Sequence, residues 1–418
     1  MHSFILQTKK IGQQYIIFFK WFILATLVGI SVGATGTLFH FTIEKATHLR
    51  NSYPFLIYLM PFAGLLIVFL YNVSRQPDTL NTNLVLESIR SSKDLPLRMA
   101  PLIFISTVLT HLVGGSSGRE GAALQLGGSL STYIGKRFHL DDNDLRIITM
   151  CGMSAAFSAL FRTPIGATVF SMEVVSVGVM YYVALVPCIL AALIGYAISG
   201  YCGVPATRYH LSLISTFDVL SLFRVVLLGI ACALLSILFC KVLHMSHLCY
   251  TKFFKNPYIR ISVGSILIII LTLITNSHDY LGAGMPTIEQ ALYGKALPFA
   301  FLLKIIFTVL TLGAGFKGGE IVPSFFIGAT FGAVVGPIIG LPTSFSASLG
   351  LIALFCGVTN CPMTSFILAT EIFGSQSGIY FMLIIAISYM LSGYSGLYTK
   401  QKMMYSKFKP EFRNQLTD

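Results

Sequence analysis

The chain is built from apolar stretches separated by Gly, Pro and basic residues, and many of them are too short to cross a bilayer as straight helices. They run over 16–32, 55–70, 102–113, 181–198, 225–243, 262–274, 302–312, 346–355 and 381–391. A straight span needs about 20 apolar residues, and several stretches hold only roughly 10–15. Short apolar segments interrupted by Gly and Pro point to tilted, re-entrant or broken helices. Irregular backbone of that kind is tolerated at membrane depth where it lines a cavity. This pattern favours a transporter or channel over a bundle of straight spans.

Composition agrees with a polytopic membrane protein. Of 418 residues, 55% are hydrophobic and 11% charged, against about 25% charged in soluble domains. The net charge of +12 is not a nucleic-acid signal, because the basic residues cluster at segment ends. Lys9, Lys10 and Lys20 form one group, Arg90, Lys93 and Arg98 a second, Lys136 and Arg137 a third. Lys400, Lys402, Lys407 and Lys409 form the last. Such a bias marks the cytoplasmic side and puts both termini there. Cys residues are scattered, mostly within apolar runs, without a CxxC pair, so they read as small core residues rather than a disulfide framework. The N-terminus reads as a first span rather than a cleaved signal. We expect one transmembrane domain over 1–405 and a short cytoplasmic tail over 406–418, with no metal or cofactor.

Two similar halves are visible within that domain. Leu95-Pro96 recurs as Leu297-Pro298, and Thr107–Thr110 as Thr308–Thr311. Gly118-Arg119-Glu120 recurs as Gly318-Gly319-Glu320, and Cys151–Ser154 as Cys356–Thr359. Pro164 precedes Glu173 by the same interval as Pro362 precedes Glu371. The halves run over about 12–205 and 215–398, joined by a linker over Cys202–Asp218. Repeats this long are not solenoid units. In membrane proteins such halves usually face each other about a pseudo-twofold axis, with the substrate site where they meet. Spacing leaves inverted and parallel repeats both open, although interrupted helices favour the inverted form.

Each half carries a glycine-rich break that opens an apolar segment: Gly114–Gly121 and Gly313–Glu320, the latter followed by Pro323. Glycine lets the backbone turn and approach an ion closely, and Pro323 suits the first turn of a new helix. A helix that begins inside the membrane presents unpaired N–H groups and a positive dipole end, which is an anion site. Glu120 and Glu320 lie in these breaks. An ionisable group in the membrane costs roughly 2.5–3.5 kcal/mol, so each needs a structural partner, such as Arg119, or a function. The functional reading is a proton carrier that competes with the anion when ionised and withdraws when protonated. Glu173 and Glu371 sit at equivalent helix ends, where a cap or ion pair is expected. Gly114–Gly118 matches the G-x-S-x-G pattern of serine hydrolases, but no α/β pattern surrounds it. An intramembrane enzyme built on Ser116 and His111 is the rival of another class.

At these residues the chain resembles the CLC chloride channels and transporters. Gly118-Arg119-Glu120-Gly121 is similar to the family's G-R-E-G-P motif, whose Glu is the external gate. Gly319-Glu320-Ile321-Val322-Pro323 is similar to its G-x-F-x-P motif, whose backbone amides bind the anion. Tyr398 matches a late Tyr whose hydroxyl lines the inner anion site. The resemblance implies an all-α polytopic fold with two inverted-topology repeats of broken and tilted helices, and a homodimer with one pore per subunit. The departures from the motif set resemble a bacterial fluoride/proton antiporter branch. The G-S-G-I-P motif is missing, and its place holds Asn81–Glu87. Ala122 replaces the Pro after G-R-E-G, and Val174 replaces the inner proton Glu. Glu320 appears in the second anion motif, although Val322 stands where that branch often has Thr.

The function that the resemblance implies is fluoride export in exchange for protons across the bacterial inner membrane. A chloride/proton antiporter or chloride channel is the alternative. Glu120 would gate and carry protons, with Glu320 as the second proton or gating group. The anion would be held by Asn81 (with Asn83 as its neighbouring alternative), the amides of Gly118, Arg119, Gly121, Ile321 and Val322, and Tyr398. Fluoride is small and strongly hydrated, so amide and hydroxyl donors in a compact site would replace its water.

Overall fold

The computed structural model describes residues 2–76, 81–91, 93–209, 218–295 and 297–417, with residues 2–10 as backbone only. Among the described residues the chain forms sixteen α-helices and one small sheet. Eight helices fall in the first half: α1 His2–Ser52, α2 Met60–Val73, α3 Thr82–Ser91, α4 Met99–Leu112, α5 Glu120–Arg137, α6 Asp142–Phe161, α7 Pro164–Glu173 and α8 Leu185–Tyr201. Eight fall in the second: α9 Val219–Phe253, α10 Pro257–Thr275, α11 Met285–Leu292, α12 Ala300–Ala314, α13 Ile321–Ile338, α14 Thr343–Thr359, α15 Pro362–Phe373 and α16 Gly378–Leu391. Long pairs with long and short with short, element by element. Of the expected linker, residues 210–217 lie outside the described residues.

Local chemistry explains where these helices start and stop. Asp141 accepts from the Asp144 N–H at 2.8 Å and Asn256 from the Tyr258 N–H at 2.9 Å, each satisfying an orphan donor of a first turn. Pro164, Pro257 and Pro362 occupy first helical positions, where a missing N–H costs nothing. Gly114 and Gly315, just past α4 and α12, have φ of +89° and +110°, a conformation that favours Gly.

The structure fixes the register of the repeat. Gly118 and Gly319 form an antiparallel bridge, with N–H···O distances of 2.7 and 2.8 Å, an offset of 319 − 118 = 201. Arg119 and Glu320 are then the equivalent N-caps, and Glu120 and Ile321 the equivalent first residues of α5 and α13. Glu320 is therefore the counterpart of Arg119 and not of Glu120, a one-residue correction to the motif alignment. The Cys151–Ser154/Cys356–Thr359 match is coincidental. Gly127 crosses α6 at Gly152, and Gly328 crosses α14 at Gly350, in each case with no room for a Cβ. Gly350, not Gly357, is thus the partner of Gly152. The offset falls by three because α6 has 20 residues and α14 has 17.

Two glutamates show that the halves are antiparallel. Glu173, ending α7, accepts from the N–H groups of Met363 and Thr364 at 3.0 and 2.8 Å, in the first turn of α15. Glu371, near the end of α15, accepts from Ile165 and Gly166 at 3.1 and 2.8 Å, in the first turn of α7. Each helix reaches from its last turn to the other's first, so a twofold axis passes between them. The bonds are charge-assisted and sit at positive dipole ends. The repeats are inverted, as the resemblance implied, and both glutamates are caps.

One face of the molecule gathers the basic segment ends. Lys20 pairs with Asp144, and Lys136 with Asp94. Asn83 on α3 accepts from the Lys400 N–H at 3.1 Å. The tail expected over 406–418 folds back there. β2, Lys402–Tyr405, pairs parallel with β1, Ser176–Val177, and antiparallel with β3, Phe412–Leu416.

Candidate anion and proton site

The two glycine breaks meet at the Gly118–Gly319 bridge, so α5 and α13 begin side by side in the buried centre. Their first N–H groups have no partner within their own helices. The Glu120 side chain bends back into this space. Its Oε1 accepts from the Arg119 N–H at 3.2 Å, and the same carboxylate stands near the Val322 N–H of α13. Gly118 and Gly319 flank it so closely that a Cβ on either would collide with its oxygens. Glu120 is fully buried, and its Oε2 has no hydrogen-bond partner. A carboxylate lodged between two helix N-termini stands where those positive ends would draw an anion.

The expected amide donors divide accordingly. The Arg119 N–H is used on the carboxylate, and Val322 stands near it. Gly121 and Ile321 stand in the same first turns. Gly118 is a correction, because its N–H is committed to the Gly319 carbonyl. It serves by having no side chain. The Arg119 guanidinium leaves the site and meets His40 Nδ1 at 2.9 Å.

Tyr398 is buried, and its hydroxyl has no hydrogen-bond partner, within electrostatic reach of both Glu320 and Glu120. A buried hydroxyl left without a partner costs about 1–3 kcal/mol, unless an anion takes up the donor. Glu320, at the start of α13, has one carboxylate oxygen buried without a partner. The residue borders a cavity of about 390 Å³, together with Asn81, Asn83, Gln125, His244, His247 and Thr399.

Asn81 stands farther out than expected. It is exposed, and its Oδ1 accepts from the Asn83 N–H at 3.1 Å. Asn81, Asn83 and Thr399 also border a second cavity of about 590 Å³, whose walls include Lys93, Asp94 and Lys400. These three residues therefore form the neck between the basic face and the inner cavity. The neighbour that reaches the helix break is Thr82, whose hydroxyl donates to the Gly121 carbonyl at 3.4 Å and accepts from Gln125 at 3.4 Å. Sequence reasoning missed both residues, although a Gln one turn beyond Glu120 among small apolar residues was a usable signal.

The hydrolase pairing finds no support in this geometry. Ser116 Oγ meets Thr308 Oγ1 at 3.1 Å, while His111 Nε2 faces the Gly118 carbonyl at 3.3 Å.

Comparison with known proteins follows the same lines. The sequence profile of the family described as voltage gated chloride channel matches residues 75–393. A chloride/fluoride channel protein of Pseudomonas syringae pv. tomato is 35% identical over 395 residues, covering 93% of this chain and 87% of the relative. Among solved structures, a CLC-type fluoride/proton antiporter superposes with a TM-score of 0.89 at 30% identity, covering 93% of this chain and 99% of the other. A slow cyanobacterial Cl⁻/H⁺ antiporter superposes with a TM-score of 0.76 at 17% identity, over 89% and 94% of the two chains, and speaks to the fold alone.

Proposed function

Because this chain belongs to the voltage gated chloride channel (CLC) family, we propose that it is a fluoride/proton antiporter that exports fluoride across the bacterial inner membrane. The observation that carries this reading is the Glu120 carboxylate, bonded to the Arg119 amide of one repeat and lodged against Gly319 of the other. Ionised, it excludes an anion from that place. Protonated, it loses the charge that the helix ends attract and yields the place. Each arrival of an anion is thereby tied to a proton on Glu120, which is exchange rather than leak.

Glu320 is the second proton group, at the N-cap of α13. Tyr398 and the first-turn amides are the anion's donors once Glu120 withdraws, and Asn81 and Asn83 line the way in. Charge bias orients the molecule, with the basic face and both termini in the cytoplasm. We take the assembly to be a homodimer with a pore in each subunit, as the family implies. The relatives' descriptions name both fluoride and chloride, and the chloride reading uses the same gate.

Proteoliposomes loaded with fluoride or chloride, with external pH recorded, separate these readings. Fluoride efflux should run far faster than chloride and alkalinise the outside as protons enter. Equal rates for the two anions would leave the chloride reading standing.

A further inference from the structure

Glu320 needs a way to pass its proton on. Val174 holds the position of the usual inner acid, but it is fully buried, and its carbonyl accepts from Gln401 at 2.9 Å. The acid beside it, Glu173, is committed to capping α15. The open direction is the cavity of about 390 Å³ that Glu320 borders, and two imidazoles from α9 stand in its wall.

We propose that His244 and His247 relay protons between Glu320 and the basic face through this cavity. The two residues are three apart on one helix, so they share a face. His244 Nε2 lies 3.4 Å from the Leu397 carbonyl. A carbonyl only accepts, so Nε2 carries the hydrogen and Nδ1 keeps the lone pair that takes a proton. His247 is exposed and closer to the end of α9. The proton leaves Glu320 as its O–H bond breaks and an N–H bond forms at His244 Nδ1, directly or through one water. The imidazolium then releases it to His247 and to bulk water, and no other reactant is consumed.

The other walls bear this out. The titratable and charged groups around the cavity, besides the two histidines, are Glu320 at the start of α13, Lys317 before it and Arg260 on α10. The lining residues of α3 and α5 are uncharged at Asn81, Asn83 and Gln125, as is Thr399. Lys317 lies over the Tyr71 ring, 4.5 Å from its centre, and Arg260 donates to the Ala314 carbonyl at 3.4 Å. An imidazole's ordinary charge change falls between about pH 5 and 8, so it can take up and release a proton at working pH.

The inference rests on the antiport reading, and the test keeps the two apart. Wild type, the double variant His244→Gln/His247→Gln and each single variant are reconstituted. Fluoride-driven proton movement is recorded as the pH on the cavity side is varied from about 5 to 8. Gln at 244 retains a donor for the Leu397 carbonyl. The double variant should move protons at least about tenfold more slowly, with a flattened pH profile, and millimolar imidazole should restore the rate. Fluoride binding by calorimetry should stay within about twofold of wild type. A double variant with wild-type rate and profile would overturn the relay. So would a slow variant that imidazole does not rescue and whose fluoride binding or monodispersity is also lost, since that marks a structural role. Absence of fluoride-driven proton movement in the wild type would instead refute the antiport reading.

Discussion

The proposed gate, Glu120, lies in the space between the first turns of α5 and α13, and side chains around it have distinct expected effects. Glu320→Gln keeps the volume but cannot ionise. It should slow proton-coupled fluoride transport by about tenfold or more while leaving membrane insertion intact. If Glu320 only fills space at the helix start, the variant will lose thermal stability and keep normal coupling per folded protein, which measuring both on one preparation decides. Tyr398→Phe removes a buried donor that has no protein partner. Fluoride affinity should fall by about tenfold, the equivalent of roughly 1.4 kcal/mol, while stability is unchanged or raised, because the unpaired hydroxyl is gone. Gly319→Ala puts a Cβ against the Glu120 oxygens, so it should displace the gate and uncouple proton from fluoride movement.

At the scale of elements, the helix ends carry most of the design. Glu173→Gln leaves the first-turn donors of α15 with a neutral acceptor. It should cost about 1–3 kcal/mol of stability, read as a lower melting temperature in detergent, with little effect on selectivity. Glu371→Gln should match it, because the two caps are related by the pseudo-twofold axis. The β2–β3 hairpin tethers the segment that holds Tyr398. The Thr417 hydroxyl donates to the Tyr398 carbonyl at 2.6 Å, its N–H donates to the Gln401 carbonyl at 3.0 Å, and Lys407 donates to the Tyr389 carbonyl at 2.8 Å. Ending the chain after Gln401 should therefore weaken fluoride binding by about tenfold, as Tyr398→Phe does, and unchanged affinity would show the hairpin to be dispensable.

For the whole molecule, the sequence disclosed more of the repeat than of its register. The glycine breaks, the proline-led helices and the two capping glutamates were legible because each is a local signal with a local cause. Helices α6 and α15 lie outside the apolar stretches read from the sequence, and α5 and α13 enter there only as segments opened by the glycine breaks. Helices α6 and α13 are largely buried inside the protein rather than against lipid, so they can carry Ser, Thr, Gly and Asp. The outward-facing α2 and α10 were plain. Register was misjudged by one residue at Glu320 because similarity of letters, Gly-x-Glu, outweighed the backbone bridge that sets the true pairing. Asn81 was placed in the site by motif position. The structure puts it at the neck, and the intervening Thr82 reaches the break, which only the start of α3 could reveal.

The central claim is that a proton on Glu120 is the condition for an anion to enter the two-helix site. It is tested most directly by fluoride-driven proton movement in proteoliposomes, comparing wild type with Glu120→Gln. The account predicts that wild type takes up protons against their gradient as fluoride leaves. Glu120→Gln, permanently neutral, should pass fluoride with no proton movement. Continued proton pumping by the Gln variant would contradict it.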